Sequence, residues 1–479
     1  MSSYSRFPNL VRIALWATVV VLALPGPLHA QNSGLAGLLP DLILREITLP
    51  APTTTGLSHE VHFSPLGQDA NSENAAVDIV DSFNGLLIGQ LASLPLGSSA
   101  GGFTYAFDPA LGTFVRASRS FGPSFAERAT TIGKGRLSAG FNFQHSRYDR
   151  FEGVNLRDRS IKFYLRHQEC CSGGGPPVPP FFGVTEQPNG TRLDPFFEGD
   201  VIEAALSLRV STDTFALFAN YGVTERWDVA LAVPIVRVDL EASVLATIVR
   251  LATSSNPMIH TFERGNPDAT QRTVDRSGTA TGLGDVVLRT KYRLLGSTRG
   301  ALALAVDARL PTGDEDNLLG GSAQTKVFLV GSGGTDRFGQ HVNLGYTFGG
   351  GDDGAGTIGR SVGSLPDEFN YAAGVEYVAT PRLTLLGDLV GRTLRDTGRL
   401  RIEGKRFEFQ PQDATRPISF ATFDEFAPRS GNLNLLLGTA GAKFNPAGDL
   451  LISASVLFPL TDAGLKSRWT TVIGVDYAF

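Results

Sequence analysis

Cysteine and methionine are nearly missing from this 479-residue chain, at 2 residues each, and tryptophan stands at only 3. The two cysteines are neighbours, Cys170 and Cys171, so no disulfide within the chain can staple distant segments, and a disulfide-built scaffold is excluded. In their CCSGGGPPVPP loop (170–180) they stand either as a vicinal disulfide or as two thiols, and a dipeptide is too short for a zinc site. Charged residues make up only 19%, with a net charge of −5, which argues against nucleic-acid binding. After Leu24 no apolar run approaches the roughly 20 residues a membrane helix needs. Two catalytic signatures are missing too: there is no HExxH and no phosphate-binding loop. The expectation is a non-enzyme without cofactor or resident metal.

What the chain does have is glycine, at 55 residues, and phenylalanine, at 31. Mean hydropathy is close to zero, as it is when lipid-facing and lumen-facing residues average out. The amino end reads as a secretory signal peptide over residues 1–30. Arg6 and Arg12 precede an apolar run from Ile13 to Leu24, and Leu28-His29-Ala30 offers a cleavage site.

Alternation with period two dominates from about residue 130 onward. The last twelve residues, RWTTVIGVDYAF (468–479), place Trp469, Thr471, Ile473, Val475, Tyr477 and Phe479 on one face. Aromatics at both ends of an apolar face match the interfacial girdles of a barrel strand. Tyr477 and Phe479 also resemble the terminal signal that outer-membrane barrels present to the barrel assembly machinery. Similar strands read at 449–460, 432–444, 382–393, 370–377, 343–348, 301–310, 285–294, 227–235, 215–221 and 136–144, with 324–330 weaker. Each is near the length a tilted strand needs to cross a bilayer.

Connections alternate between short turns (223–226, 295–299, 331–340, 380–381, 445–448) and long loops (247–281, 311–323, 350–368, 395–430). Short periplasmic turns and long outside loops predict an all-β, antiparallel up-and-down transmembrane barrel. The count is twelve or fourteen strands. Between Val201 and Val223 the apolar phase slips, which reads as a bulge for twelve, or as a turn near Ser211-Thr212 for fourteen when a strand at 161–166 is added.

Residues 31–120 do not read as barrel wall. Helical spacing at 35–47 and 77–94 and a small hairpin at 103–117 predict a segment that either plugs the lumen or hangs as a periplasmic tail, with the barrel at 121–479. Among candidate functional residues, Arg289, Lys291, Arg293, Asp307, Arg309, Glu376, Asp388, Arg392 and Asp476, with Asp285, fall on the face opposite the apolar one. A charge on the lipid face costs about 2–4 kcal/mol at the midplane for Arg or Lys, so these residues are expected to line the lumen. There they either pair into a network or border a water-filled path. The acidic loops at Asp314-Glu315-Asp316-Asn317 and Asp352-Asp353 read as solvated loops that meet lipopolysaccharide through divalent ions. His145-Ser146 is the one pair that a barrel hydrolase could use.

The stretches GLGDVVLRTKYRLL (282–295), DARLPTGDEDNLLG (307–320), FANYGVTERWDVALAVPIVRV (218–238) and KFNPAGDLLISASVLFPL (443–460) resemble the outer-membrane family associated with phenol meta-cleavage pathways. That family is similar in architecture to channels for fatty acids and aromatic hydrocarbons. The resemblance implies passive uptake of a small, hydrophobic or aromatic solute through the bacterial outer membrane. The rival expectation is a structural or adhesive barrel with a closed lumen.

Overall fold

The computed structural model describes residues 34–50, 75–91, 97–98, 102–166, 200–255, 257–258, 260–297, 300–349, 365–409, 411, 416–417 and 419–479. The expected signal peptide, Cys170 and Cys171, and Asp352-Asp353 lie outside the described residues.

Two helices, α1 (Leu38–Leu44) and α2 (Ala75–Leu91), come first, followed by a hairpin of β1 (Tyr105–Asp108) and β2 (Thr113–Arg116). The wall begins with β3 (Leu137–Phe151), after which β4 (Val154–Asn155) and β5 (Ile161–Arg166) are short. Two very long strands follow, β6 (Val201–Thr224) and β7 (Trp227–Val249), then β8 (Gln271–Leu283). Next come β9 (Val286–Gly296), β10 (Gly300–Leu310), β11 (Gln324–Gly334), β12 (Phe338–Gly349), β13 (Glu368–Thr380) and β14 (Leu383–Leu394). A hairpin of β15 (Arg399–Phe409) and β16 (Ser419–Arg429) precedes the final wall strands β17 (Leu433–Phe444), β18 (Leu450–Pro459) and β19 (Leu465–Ala478).

Closure is complete. β19 pairs with β3, and β3 pairs in turn with β6, so twelve antiparallel strands form a ring without a free edge. A closed ring satisfies every backbone N–H and C=O between strands, which hydrocarbon demands. Side chains such as Leu217, Leu231, Leu288, Leu344, Leu389 and Ile473 are exposed on the outside of this ring. Such a belt is tolerable only against lipid. Tight turns join β6–β7, β9–β10, β11–β12, β13–β14 and β17–β18 at one end, which is therefore periplasmic, and the long connections lie at the other. The protein is an outer-membrane β-barrel.

The phase slip between 201 and 223 has a different cause from either expected one. β6 runs unbroken, and its register with β7 shifts only near Gly222 and Thr224. There is neither a turn at Ser211-Thr212 nor a bulge there. What changes is the surroundings. In the lower half the outward residues are Phe215, Leu217 and Tyr221, and the inward ones are Thr212, Thr214 and Asn220. Higher up, the outward residues are Ser207, Arg209 and Ser211, while Ala204, Leu206, Leu208 and Val210 point inward and are buried. β7 inverts in the same way, from outward Val229 and Leu231 to outward Arg237, Asp239 and Glu241. Arg209 and Glu241, opposite each other in register, form an ion pair at 3.0 Å on this outer surface. The strands leave the bilayer there, so water replaces lipid outside and an apolar core replaces the wet lumen inside. The expected strand at 161–166 exists as β5, which pairs with this extension of β6 and takes no part in the ring.

Helices α1 and α2 complete that outer core. Leu39, Leu42, Ile43, Ile79, Val80, Phe83 and Leu87 pack with Ile202, Leu206, Leu208, Val238, Leu240 and Val244. Phe83 sits at the centre, with ring centroids 4.8 Å from Phe151 and 5.9 Å from Phe163 in edge-on contact. The Gln90 carboxamide oxygen accepts from the Leu465 N–H at 2.6 Å, at the top of β19. The helices thus cover the extracellular end.

The stretch after α2 descends to the opposite end. Gly102 N–H donates to Asp476 at 2.7 Å, and Tyr105 Oη donates to Asp449 at 2.8 Å beside the β17–β18 turn. Residues 118–132 then cross the barrel interior before the wall begins at Leu137.

Candidate functional site

Strand alternation fixes which side chains enter the barrel, and the crossing segment meets most of them. Glu127 accepts from Arg289 Nη1 at 2.5 Å and from Lys291 Nζ at 3.2 Å. Arg289 also donates in fork geometry to Asp307 on the adjacent strand, at 2.6 and 2.7 Å. Lys291 further faces Asp228, at 3.6 Å. Glu376 receives Arg128 at 3.2 Å, His341 Nε2 at 2.9 Å and Ser120 Oγ at 2.9 Å. Asp388 accepts two backbone N–H groups of the crossing segment, from Ser124 at 2.9 Å and Phe125 at 3.0 Å. Asp476 holds Gly102 N–H and Ser138 Oγ. Together these contacts make a floor across the periplasmic half of the barrel. Each buried charge in it has an opposite charge or a backbone dipole against it, as burial requires.

The remaining candidates lie above or beside the floor. Arg392 pairs with Glu368 at 3.3 Å in the upper lumen, and Arg309 lines the same space. Arg293 sits at the periplasmic end of β9, with its stem against the Gly296 turn. Asp285 ties down the 311–323 loop by accepting N–H groups from Gly313 at 3.0 Å and Gly321 at 2.8 Å. Within that loop Asp314 accepts from Asn317 at 2.8 Å. Tyr477 and Phe479 are exposed on the lipid side, with ring centroids 4.8 Å apart. His145 and Ser146 project to opposite faces of β3. His145 meets Asp213 outside at 2.7 Å, and Ser146 meets Thr470 inside at 2.8 Å, so they form no nucleophile–base pair.

Above the floor lies a cavity of about 260 Å³ with two unlike walls. One, on β9 to β14, carries Arg289, Asp307, Arg309, Lys326, Glu368 and Arg392. The other, on β17 to β19 and the loop between β18 and β19, carries Leu435, Leu437, Leu457, Ala463 and Leu465. Phe125 closes the cavity from the floor side, and Gln90 of α2 reaches it from above. Sequence reasoning passed over Glu127, Arg128, His341 and Lys326. Lys326 was within reach, because it shares the inward face of β11 with Gln324 and Phe328. Glu127 and Arg128 belong to no periodic element, so no pattern marks them.

No curated protein matches this sequence. Among solved structures, an outer membrane channel from Pseudomonas putida F1 is similar at 10% identity, with 73% of this chain and 98% of that one covered and a TM-score of 0.38. A Pseudomonas aeruginosa FadL homologue is similar at 12% identity, over 79% of this chain and 96% of that one, with a TM-score of 0.29. The P. putida toluene transporter TodX is similar at 11% identity, over 72% and 89% respectively, also with a TM-score of 0.29. Over residues 186–406 the chain matches the family described as "Putative MetA-pathway of phenol degradation", the resemblance that the wording of 218–238, 282–295 and 307–320 predicts.

Proposed function

We propose that the protein is a passive channel through which small hydrophobic or aromatic molecules cross the outer membrane without being chemically changed. The observation that carries this reading is the two-walled cavity held above the floor, because an apolar wall facing a polar one gives an amphipathic solute a site at each end. The family match over residues 186–406, with its link to phenol degradation, supports an aromatic solute. In this reading residues 1–30 are a signal peptide and the crossing segment acts as a plug. The inward charges Arg289, Lys291, Asp307, Glu376, Asp388 and Asp476 hold that plug at rest, while Arg309 and Arg392 line the entry. Tyr477 and Phe479 serve the barrel assembly machinery, and the outer loops meet lipopolysaccharide. A solute passes when the floor contacts give way, since 260 Å³ of space ends at Phe125.

Outer-membrane vesicles with and without the protein provide the test. Entry of phenol and benzyl alcohol should rise several-fold with the protein, and entry of disaccharides should not. If neither aromatic enters faster, the channel reading fails and a closed structural barrel replaces it.

A further inference from the structure

We infer that the upper-lumen cavity is an acid site. It selects a hydrophobic or aromatic monocarboxylate, with the headgroup at Lys326 and Gln324 and the apolar body against the β17–β19 wall. This rests on the channel reading of the same cavity and adds a charge preference to it.

The charge balance of the lining comes first. Five cations, Arg289, Arg309, Lys326, Arg392 and Lys466, face three carboxylates, Glu127, Asp307 and Glu368. Arg289 holds both Asp307 and Glu127, Arg392 holds Glu368, and Lys466 at the rim holds Asp462 at 2.9 Å. Lys326 stands opposite Asp307 in register, but both Asp307 oxygens are taken by Arg289. The Lys326 ammonium instead lies 4.7 Å over the Phe328 ring, and among the described residues no carboxylate comes within ion-pair distance of it. Asp307, Glu368 and Glu127 act on it only from beyond ion-pair distance, so among the described residues its ammonium has no carboxylate in direct contact.

A second donor stands beside it. Gln324 occupies the same inward face of β11 two residues away, is buried, and its Nε2 has no hydrogen-bond acceptor among the described residues. Residues at i and i+2 of a strand lie about 7 Å apart, which two flexible side chains close easily around one carboxylate. An ammonium and an amide N–H₂ both donate and neither accepts at those atoms. Their shared complement is an anion. A phenol, with its usual pKa of about 10, is neutral at pH 7 and offers much less to Lys326 than a carboxylate, which is fully ionised. Across the cavity Leu435, Leu437 and Leu457 offer only apolar surface, which suits a ring or short alkyl chain.

Calorimetric titration of the full-length protein in detergent at pH 7 provides the test, with benzoate against benzyl alcohol and octanoate against octanol. The wild type should bind each acid at least ten-fold tighter than its alcohol. Lys326→Met keeps the side-chain length and should erase that preference by weakening acid binding at least ten-fold; Lys326→Arg should retain it. Gln324→Leu, a second and milder variant, should weaken acid binding about three-fold and serves if Lys326→Met loses its heat-modifiable gel mobility. Equal affinity for acid and alcohol in the wild type, or a preference that survives Lys326→Met, overturns the acid site. If alcohols still bind in that case, the channel reading stands alone; if no probe binds, both readings fall.

Discussion

Glu127, on the segment that crosses the lumen, and Arg289, on β9 of the wall, are joined at 2.5 Å, and the same Arg289 is forked onto Asp307. One guanidinium therefore fastens the floor to the wall and two wall strands to each other. Removing one partner of a buried pair costs about 3–5 kcal/mol, because the other charge is left without compensation.

Glu127→Gln should accordingly loosen the floor while the ring of twelve strands remains closed. The expected outcome in planar bilayers is a several-fold rise in single-channel conductance or opening frequency. Unchanged conductance would mean that the floor is held elsewhere.

Gly222 offers a steric test of the same floor. A Cβ added there would meet the Gly133 carbonyl oxygen at 1.9 Å, whereas one added at Gly331 meets nothing closer than 3.8 Å. Gly222→Ala should destabilise the barrel by about 1–3 kcal/mol through overpacking, while Gly331→Ala stays near neutral. Urea unfolding midpoints in detergent compare the two.

Phe83 anchors α2 in the outer core and is fully buried. Phe83→Ala should cost about 3–5 kcal/mol of local packing. Protease added to intact cells should then cut within or beside α2, with the heat-resistant barrel fragment preserved. If α2 is cut in neither variant nor wild type after mild heating, its place at the cell surface is wrong.

Asp200 governs acid sensitivity of the outer loops. Its carboxylate accepts N–H groups from Leu251 and Ala252 at 2.8 Å and from Thr253 at 3.1 Å, and it meets His260 Nδ1 at 2.6 Å. Burial by itself raises its pKa, but the bonds from His260 and Thr253 outweigh burial and hold it below the ordinary carboxylate value. A depressed folded pKa means stability that is present above the unfolded value of about 3.9 and is lost as pH falls through the folded one. Limited proteolysis of the 250–270 loop should therefore be flat down to pH 5 and accelerate below about pH 4. Asp200→Asn should already show the faster cleavage at pH 7.

Much of the wall was legible from residue order. In β9, Leu288 and Tyr292 alternate with Arg289 and Lys291, and period two leaves no choice of face once lipid lies outside. Lengths of connections identified the two ends, because tight turns and long loops alternate along the chain. The same reasoning failed at Leu206–Leu217 because it assumed that a strand keeps one pair of environments along its length. β6 passes from lipid to water outside and from wet lumen to apolar core inside, so its pattern inverts while its backbone runs straight.

Local residue order by itself determined the barrel and the alternation of its wall strands, since alternation and turn length are properties of neighbours in the chain. Only the tertiary structure decided that Glu127 meets Arg289, that Arg128 meets Glu376, and that Lys326 faces a cavity with Gln324. Those partners are separated by 162 and 248 positions in the first two cases, and an aperiodic segment leaves no local signature of which wall charge it meets. Closing the ring sets those distances, and with them which charges are paired in the floor and which stand ready above it.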